Sequence, residues 1–349
     1  MSEISRFRGA VAALALAVVL AACGSDGGGS ATTAASTVTA GATSAPATAA
    51  PTTGETTATT IAGGTTAAST TTTAASTAPA ASTLAEDLGR VVVLAEEPML
   101  ADVLSLGVRP VASSASVVEA GFQGMDDFDT AGIEVLPMTT LNLEQLAALR
   151  PDTIITLQFW ADQISEDVLR GAADRIILVP DGLSIPDRVT YLGEQFGRQS
   201  QAAALVTDLE AAETAAAAKV PDDCVISLVA IYPGPAPAVF VAGPWDIPSA
   251  VLAAGCRLVP DASVVTPDRN GRVHLSTEQL GLLDAPRIVL LQSDTVEGED
   301  ASVAEIETNP LWANLPAVQA DRVTVFDRLG YPGAAGQIRF YDEFAALMS

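Results

Sequence analysis

Two apolar runs, Val91 to Ala95 and Val225 to Ile231, have the composition of strands buried on both faces of a parallel sheet. Two more runs, Thr153 to Leu157 and Arg287 to Leu291, follow short helical segments and a Pro-containing turn. Those segments echo each other: Leu141-Asn142-Leu143-Glu144-Gln145-Leu146 and Leu275-Ser276-Thr277-Glu278-Gln279-Leu280. Each opens on an N-cap residue, Asn142 or Ser276, with Gln three positions on, which is a capping-box pattern. A further echo pairs Leu104-Ser105-Leu106-Gly107-Val108-Arg109 with Leu252-Ala253-Ala254-Gly255-Cys256-Arg257. Both read as a helix stopped by glycine, then a new strand. Val239 to Ala242 and Val323 to Phe326 read as additional strands.

One unit is therefore used twice. The strand–helix–strand order in each half predicts an α/β fold of two lobes, each a mainly parallel sheet flanked by helices. Between the halves, Pro186 to Lys219 is rich in Ala, Leu and Glu and has almost no breaker after Gly197. It predicts one long connecting helix of roughly 30 Å, at 1.5 Å per residue. Such a brace is stiffer than paired strands, so large hinge closure is not expected. The expected organisation is an N-terminal lobe over 84–186, the connecting helix over 187–219 and a C-terminal lobe over 220–349.

The N-terminal end does not fit that scheme. Arg6 and Arg8 precede an uncharged apolar run, Ala10 to Ala22, too short for a permanent membrane span and of signal-peptide length. It ends in Leu20-Ala21-Ala22-Cys23, which resembles a bacterial lipobox, so residues 1–22 are expected to be removed and Cys23 to carry lipid. The alternative is an ordinary secretory signal with an incidental cysteine. Residues 23–83 follow the cleavage point, and from Gly24 they are almost entirely Ala, Thr, Ser, Gly and Pro, nearly uncharged and with no aromatic residue. Such a stretch buries too little apolar surface to offset its chain entropy. A flexible tether of about 60 residues has an end-to-end distance of roughly 40 Å.

Cys224 and Cys256 are the other two cysteines. An oxidising compartment lets them pair; two buried thiols are the alternative. Lys and Arg number 17 against 42 Asp and Glu, a formal charge of −25. That balance argues against nucleic acid, which needs clustered basic groups.

From about Arg90 onward the chain resembles the ABC-importer binding proteins that take ferric siderophores, haem and corrinoids. The resemblance is carried by Leu104 to Pro110, Leu143 to Asp152, Tyr191 to Arg198, Asn309-Pro310-Leu311-Trp312, Val318-Gln319-Ala320 and Arg322-Val323. It implies an extracytoplasmic, lipid-anchored monomer that serves a permease dimer with its ATPase and touches the membrane only through the lipid. In that group one outward glutamate on each lobe docks with arginines of the permease. Glu144 and Glu278, each second in its helix, match that role.

A ligand should lie between the lobes, outside the carboxyl ends of the strands. The residues there are Phe159, Trp160, Tyr232, Trp245, Arg328 and Tyr331, with Arg339 beyond a Gly-rich stretch. Rings can stack on a bulky chelate, and guanidinium forks suit its anionic oxygens. Arg109, Arg269 and Arg272 are further candidates. Lobe-to-lobe packing is the competing reading for each ring, and solvation for each arginine.

His274 is the sole histidine, and no His/Cys/Asp cluster has metal-ligand spacing. No metal site or cofactor is therefore expected in the protein itself, and iron should arrive as an Fe(III)-siderophore. A corrinoid or haem, or a non-transport interaction lipoprotein on this fold, are the alternatives. No nucleophile elbow, phosphate loop or Cys–His pair supports an enzyme.

Overall fold

The computed structural model describes residues 87–348, apart from 139, 235, 244 and 245. The expected signal peptide, the lipidation site Cys23, the tether and the candidate Trp245 lie outside the described residues.

The first half contains β1 (Val91–Leu94), α1 (Glu97–Ser105), β2 (Ala112–Ala115), β3 (Glu134–Pro137), α2 (Leu143–Ala148), β4 (Thr153–Leu157), α3 (Gln158–Ile164), α4 (Glu166–Ala172) and β5 (Arg175–Val179). Its five strands form one sheet in the order β3-β2-β1-β4-β5, with every pair parallel. Two helices follow, α5 (Ile185–Gln195) and α6 (Gln199–Ala217).

The second half contains β6 (Val225–Ala230), β7 (Ala238–Phe240), α7 (Asp246–Ala253), β8 (Arg257–Leu258), β9 (Arg272–His274), a 3-10 helix (Thr277–Leu282), β10 (Ile288–Gln292), α8 (Glu299–Glu307), α9 (Pro310–Ala313), α10 (Pro316–Gln319), β11 (Val323–Asp327) and α11 (Gly333–Met348). Its sheet runs β11-β10-β6-β7-β9, with β8 also paired to β6.

The repeat inferred from sequence has a topological counterpart. Strands β8, β6, β10 and β11 pair in parallel as β2, β1, β4 and β5 do. The matched glycine stops, Gly107 and Gly255, both take positive φ (73° and 95°), a region costly for a residue with a Cβ. The second sheet is mainly parallel, as expected of each half, with an antiparallel edge. Strands β7 and β9 run antiparallel, which makes that sheet mixed. Neither is longer than 3 residues, and a short meander needs no helical crossover.

The helix expected across 187–219 is divided. α5 ends at Gln195, Gly197 takes φ 65°, and α6 begins at Gln199. Apolar periodicity continues through the break, but a left-handed residue cannot continue a right-handed helix. The crossover between the lobes is therefore α6, 19 residues long.

Side-chain alternation along the strands divides the core. Val91 and Val93 face one way with Ile155, Ile177 and Val179, and join Val189, Leu192 and Phe196 of α5 and its end. Ile226, Leu228, Val289 and Leu291 of the second sheet belong to the same cluster, as do Phe340 and Phe344 of α11. The opposite faces pack separately. Val92, Leu94 and Ile154 meet Leu146, Ala161 and Leu169 of α2, α3 and α4, while Val229, Leu290 and Ile288 meet Leu280, Ile306 and Trp312. A central helical layer thus serves both sheets.

One buried carboxylate ties three helices of that layer together. Asp102 on α1 is fully buried; it accepts Nε of Arg188 on α5 at 2.7 Å and the amide of Ala334, at the start of α11, at 2.8 Å. An ionised acceptor at a helix N-terminus is favoured by the free amides there. A disulfide joins Cys224, just before β6, to Cys256, just before β8.

Candidate functional site

In the first lobe, β4 passes directly into α3, so Phe159 and Trp160 fall in the first helical turn after a strand end. The amide of Phe159 donates to Asp181 Oδ1 at 3.2 Å. Its ring is exposed and meets Trp160 edge-on, with centroids 5.1 Å apart.

Across the gap, the loop entering β9 is wound around Asp268. Its Oδ1 accepts the amides of Asn270 (2.8 Å) and Arg272 (2.9 Å), and its Oδ2 accepts Arg272 Nε at 3.2 Å. Partial burial opposes ionisation of this carboxyl, but the two amides and the Arg272 guanidinium outweigh it and hold it below the usual carboxylate range. This winding places the Arg269 guanidinium 5.6 Å from the centre of the Phe159 ring, so one residue from each lobe meets across the gap.

Tyr232, two residues beyond β6, lies between two cations. Arg272 Nη1 donates to its hydroxyl at 2.8 Å, and the Arg272 and Arg328 guanidiniums sit 5.5 Å and 4.8 Å from the ring centre. His274 at the end of β9 stands 6.4 Å away, ring to ring. Arg328 follows β11, and its amide donates to the Gln292 carbonyl at 3.0 Å. Its guanidinium is ion-paired with Glu299, a fully buried carboxylate at the start of α8. The other Glu299 oxygen accepts the Ser293 amide at 2.7 Å. The chain Asp268–Arg272–Tyr232–Arg328–Glu299 is a wall of alternating charge with one ring at its centre.

The remaining candidates are engaged elsewhere. Tyr331 packs on Phe326 and Phe340, and its hydroxyl donates to Glu343. Burial, then that carboxylate, pushes its phenol well above the usual range. Arg339 pairs with Asp127 of the first lobe and donates to the carbonyls of Gly330 and Gly124. Arg109 clasps the carbonyls of Asp129 and Ala131. Tyr331 packs within the second lobe, Arg339 joins the two lobes, and Arg109 closes a loop within the first.

Glu144 and Glu278 are both exposed, and neither forms an ion pair among the described residues. Glu144 follows the first residue of α2, where Asn142 Oδ1 accepts the amides of Glu144 (2.9 Å) and Gln145 (3.2 Å). The reciprocal capping box closes only in the second lobe, between Ser276 and Gln279. In the first, the Gln145 side chain donates to Glu134 at 2.7 Å instead.

Sequence reasoning overlooked Glu299, which sits in an acidic stretch that reads as solvated surface. The available signal was its place in the first turn after β10, at a strand's carboxyl end like the other candidates. Among the described residues no group of three or more His, Cys, Asp or Glu side chains is placed to hold a metal ion, and no helix is long and apolar enough to cross a membrane. A cavity of about 330 Å3 opens beside Arg150, Asp152, Arg170 and Asp174, before β4 and β5 and so at the opposite ends of those strands.

The family described as periplasmic binding protein matches residues 91–328. Among solved structures, the siderophore-binding protein FeuA of Bacillus subtilis, complexed with ferri-bacillibactin, is similar at a TM-score of 0.62 and 18% identity, covering 76% of this chain and 94% of that one. Staphylococcus aureus SirA complexed with staphyloferrin B gives 0.62 and 20%, covering 76% and 95%. FhuD2 of S. aureus with bound ferrioxamine B gives 0.60 and 17%, covering 74% and 98%. At such identities the likeness is one of fold. No curated protein sequence matches the chain.

Proposed function

The chain belongs to the periplasmic binding protein family, and on that premise we propose that it is the extracytoplasmic solute-binding lipoprotein of an ABC importer, with a ferric siderophore as its cargo. The observation that carries this reading is the group of side chains at the strand ends. Phe159 and Arg269 meet from opposite lobes, and Arg272, Tyr232 and Arg328 form the adjoining wall. Rings and guanidiniums together suit a bulky chelate whose iron is already enclosed by oxygen ligands. The protein then needs no metal ligands of its own, and it binds its cargo without transforming it.

Delivery follows from the two exposed carboxylates. Glu144 and Glu278 occupy corresponding places before β4 and β10, one on each lobe. Two matched anionic points on a body braced by a shared core fix its orientation on a permease dimer that offers cationic groups. The lipid on Cys23 and the tether after it keep a monomer within reach of that permease.

The test separates capture from delivery. Replacing Glu144 and Glu278 by Lys together should abolish ferric-siderophore uptake by cells while leaving chelate affinity within about twofold. Weakened affinity with intact uptake would overturn the docking assignment.

A further inference from the structure

Three guanidiniums face the proposed binding region, and they are not equivalent. Arg328 is neutralised by the buried carboxylate of Glu299, and Arg272 by Asp268. Both are also committed to Tyr232, one through its hydroxyl and both through its ring. Arg269 is exposed, and among the described residues it pairs with no carboxylate. On the Phe159 side, Asp181 Oδ1 accepts the Phe159 amide at 3.2 Å. The sole interaction of the Arg269 guanidinium among the described residues is the Phe159 ring, 5.6 Å away.

From this juxtaposition we infer that Arg269 is the specificity-determining residue of the cleft, parked on Phe159 when the cleft is empty and transferred to an anionic oxygen of the incoming chelate, so that the protein selects net-negative ferric chelates. The inference rests on the reading above and deepens it. A ring offers an exposed guanidinium a weak, non-directional attraction. A carboxylate or catecholate oxygen offers charge-assisted, directional hydrogen bonds, which are stronger. Exchange of one for the other is therefore downhill for an anionic ligand, while a neutral chelate gives the guanidinium no reason to leave. Asp268 anchors both ends of the turn that carries Arg269, through the amides of Asn270 and Arg272, so the backbone beneath the switching side chain is already ordered.

The experiment compares two probes of similar size on the full chain, a trianionic ferric tris-catecholate and a neutral ferric tris-hydroxamate, by quenching of intrinsic tryptophan fluorescence. Wild-type protein should bind the trianionic chelate more tightly. Arg269→Ala should weaken it about tenfold or more, a loss of about 1.4 kcal/mol, and should shift the neutral chelate by less than about threefold. Arg269→Lys, which keeps the charge but not the fork, should recover part of the loss. Equal losses for both chelates, or none for the trianionic one, would overturn the inference and leave the import reading standing. Wild-type protein that bound neither chelate would sink both.

Discussion

At the residue scale the most consequential group is Glu299, which no reading of the sequence selected. Its carboxylate is buried and its two oxygens are divided between the Ser293 amide and the Arg328 guanidinium. It holds Arg328 over the Tyr232 ring, so it acts as a positioning residue for the proposed cleft wall. Replacing it by Gln leaves Arg328 without a countercharge. The Arg328 side chain retains 20% exposure and can recover some hydration, so the cost should fall near the lower end for a broken buried pair, about 3 kcal/mol. Chemical denaturation of Glu299→Gln would measure it; a loss below about 1 kcal/mol would show that the pair is not what orders the wall. The strand-end positions of Phe159, Trp160, Tyr232 and Arg328 were legible in sequence because chain position alone puts those residues beyond β4, β6 and β11. Chain position could not show that Tyr331 and Arg339 are spent on Glu343 and Asp127, since those partners lie in α11 and in a loop 212 residues away.

At the scale of elements, α11 carries most of what sequence could not disclose. Its starting amide is capped by Asp102 from α1, and its apolar face enters the core common to both sheets. Two tyrosines report on its packing. The phenols of Tyr331 and Tyr341 are raised above their usual 10.0, each first by burial and then by a neighbouring carboxylate, Glu343 or Glu213. A folded-state pKa raised above the unfolded value gives stability that is complete below about pH 10 and is lost as pH rises beyond it. Denaturation midpoints should therefore fall above pH 10, and Tyr331→Phe with Tyr341→Phe should flatten that fall. An unchanged slope in the double variant would contradict the assignment. The short helices bearing Glu144 and Glu278 were legible because capping residues act within one turn. The break between α5 and α6 at Gly197 was not, because one left-handed glycine leaves the surrounding hydrophobic pattern undisturbed.

At the scale of the whole molecule, the repeat in sequence foretold the repeated parallel pairing but not how the halves share a core. Apolar spacing says which face of a strand is buried, not which distant helix buries it. The central layer of α1, α5, α6, α7 and α11 serves both sheets, so opening the lobes widely would expose part of that shared core to water. The proposed cleft is therefore a preformed one, with Phe159 and Arg269 meeting across it and the Tyr232 wall already assembled. Its most direct test is calorimetric titration of the wild-type chain and of Tyr232→Ala combined with Arg272→Ala, using a panel of ferric siderophores. Micromolar or tighter binding of at least one ferric siderophore by the wild type, weakened about tenfold or more in the double variant, is the predicted result. Absence of binding to every chelate in the panel, or equal affinity in the two proteins, would contradict it.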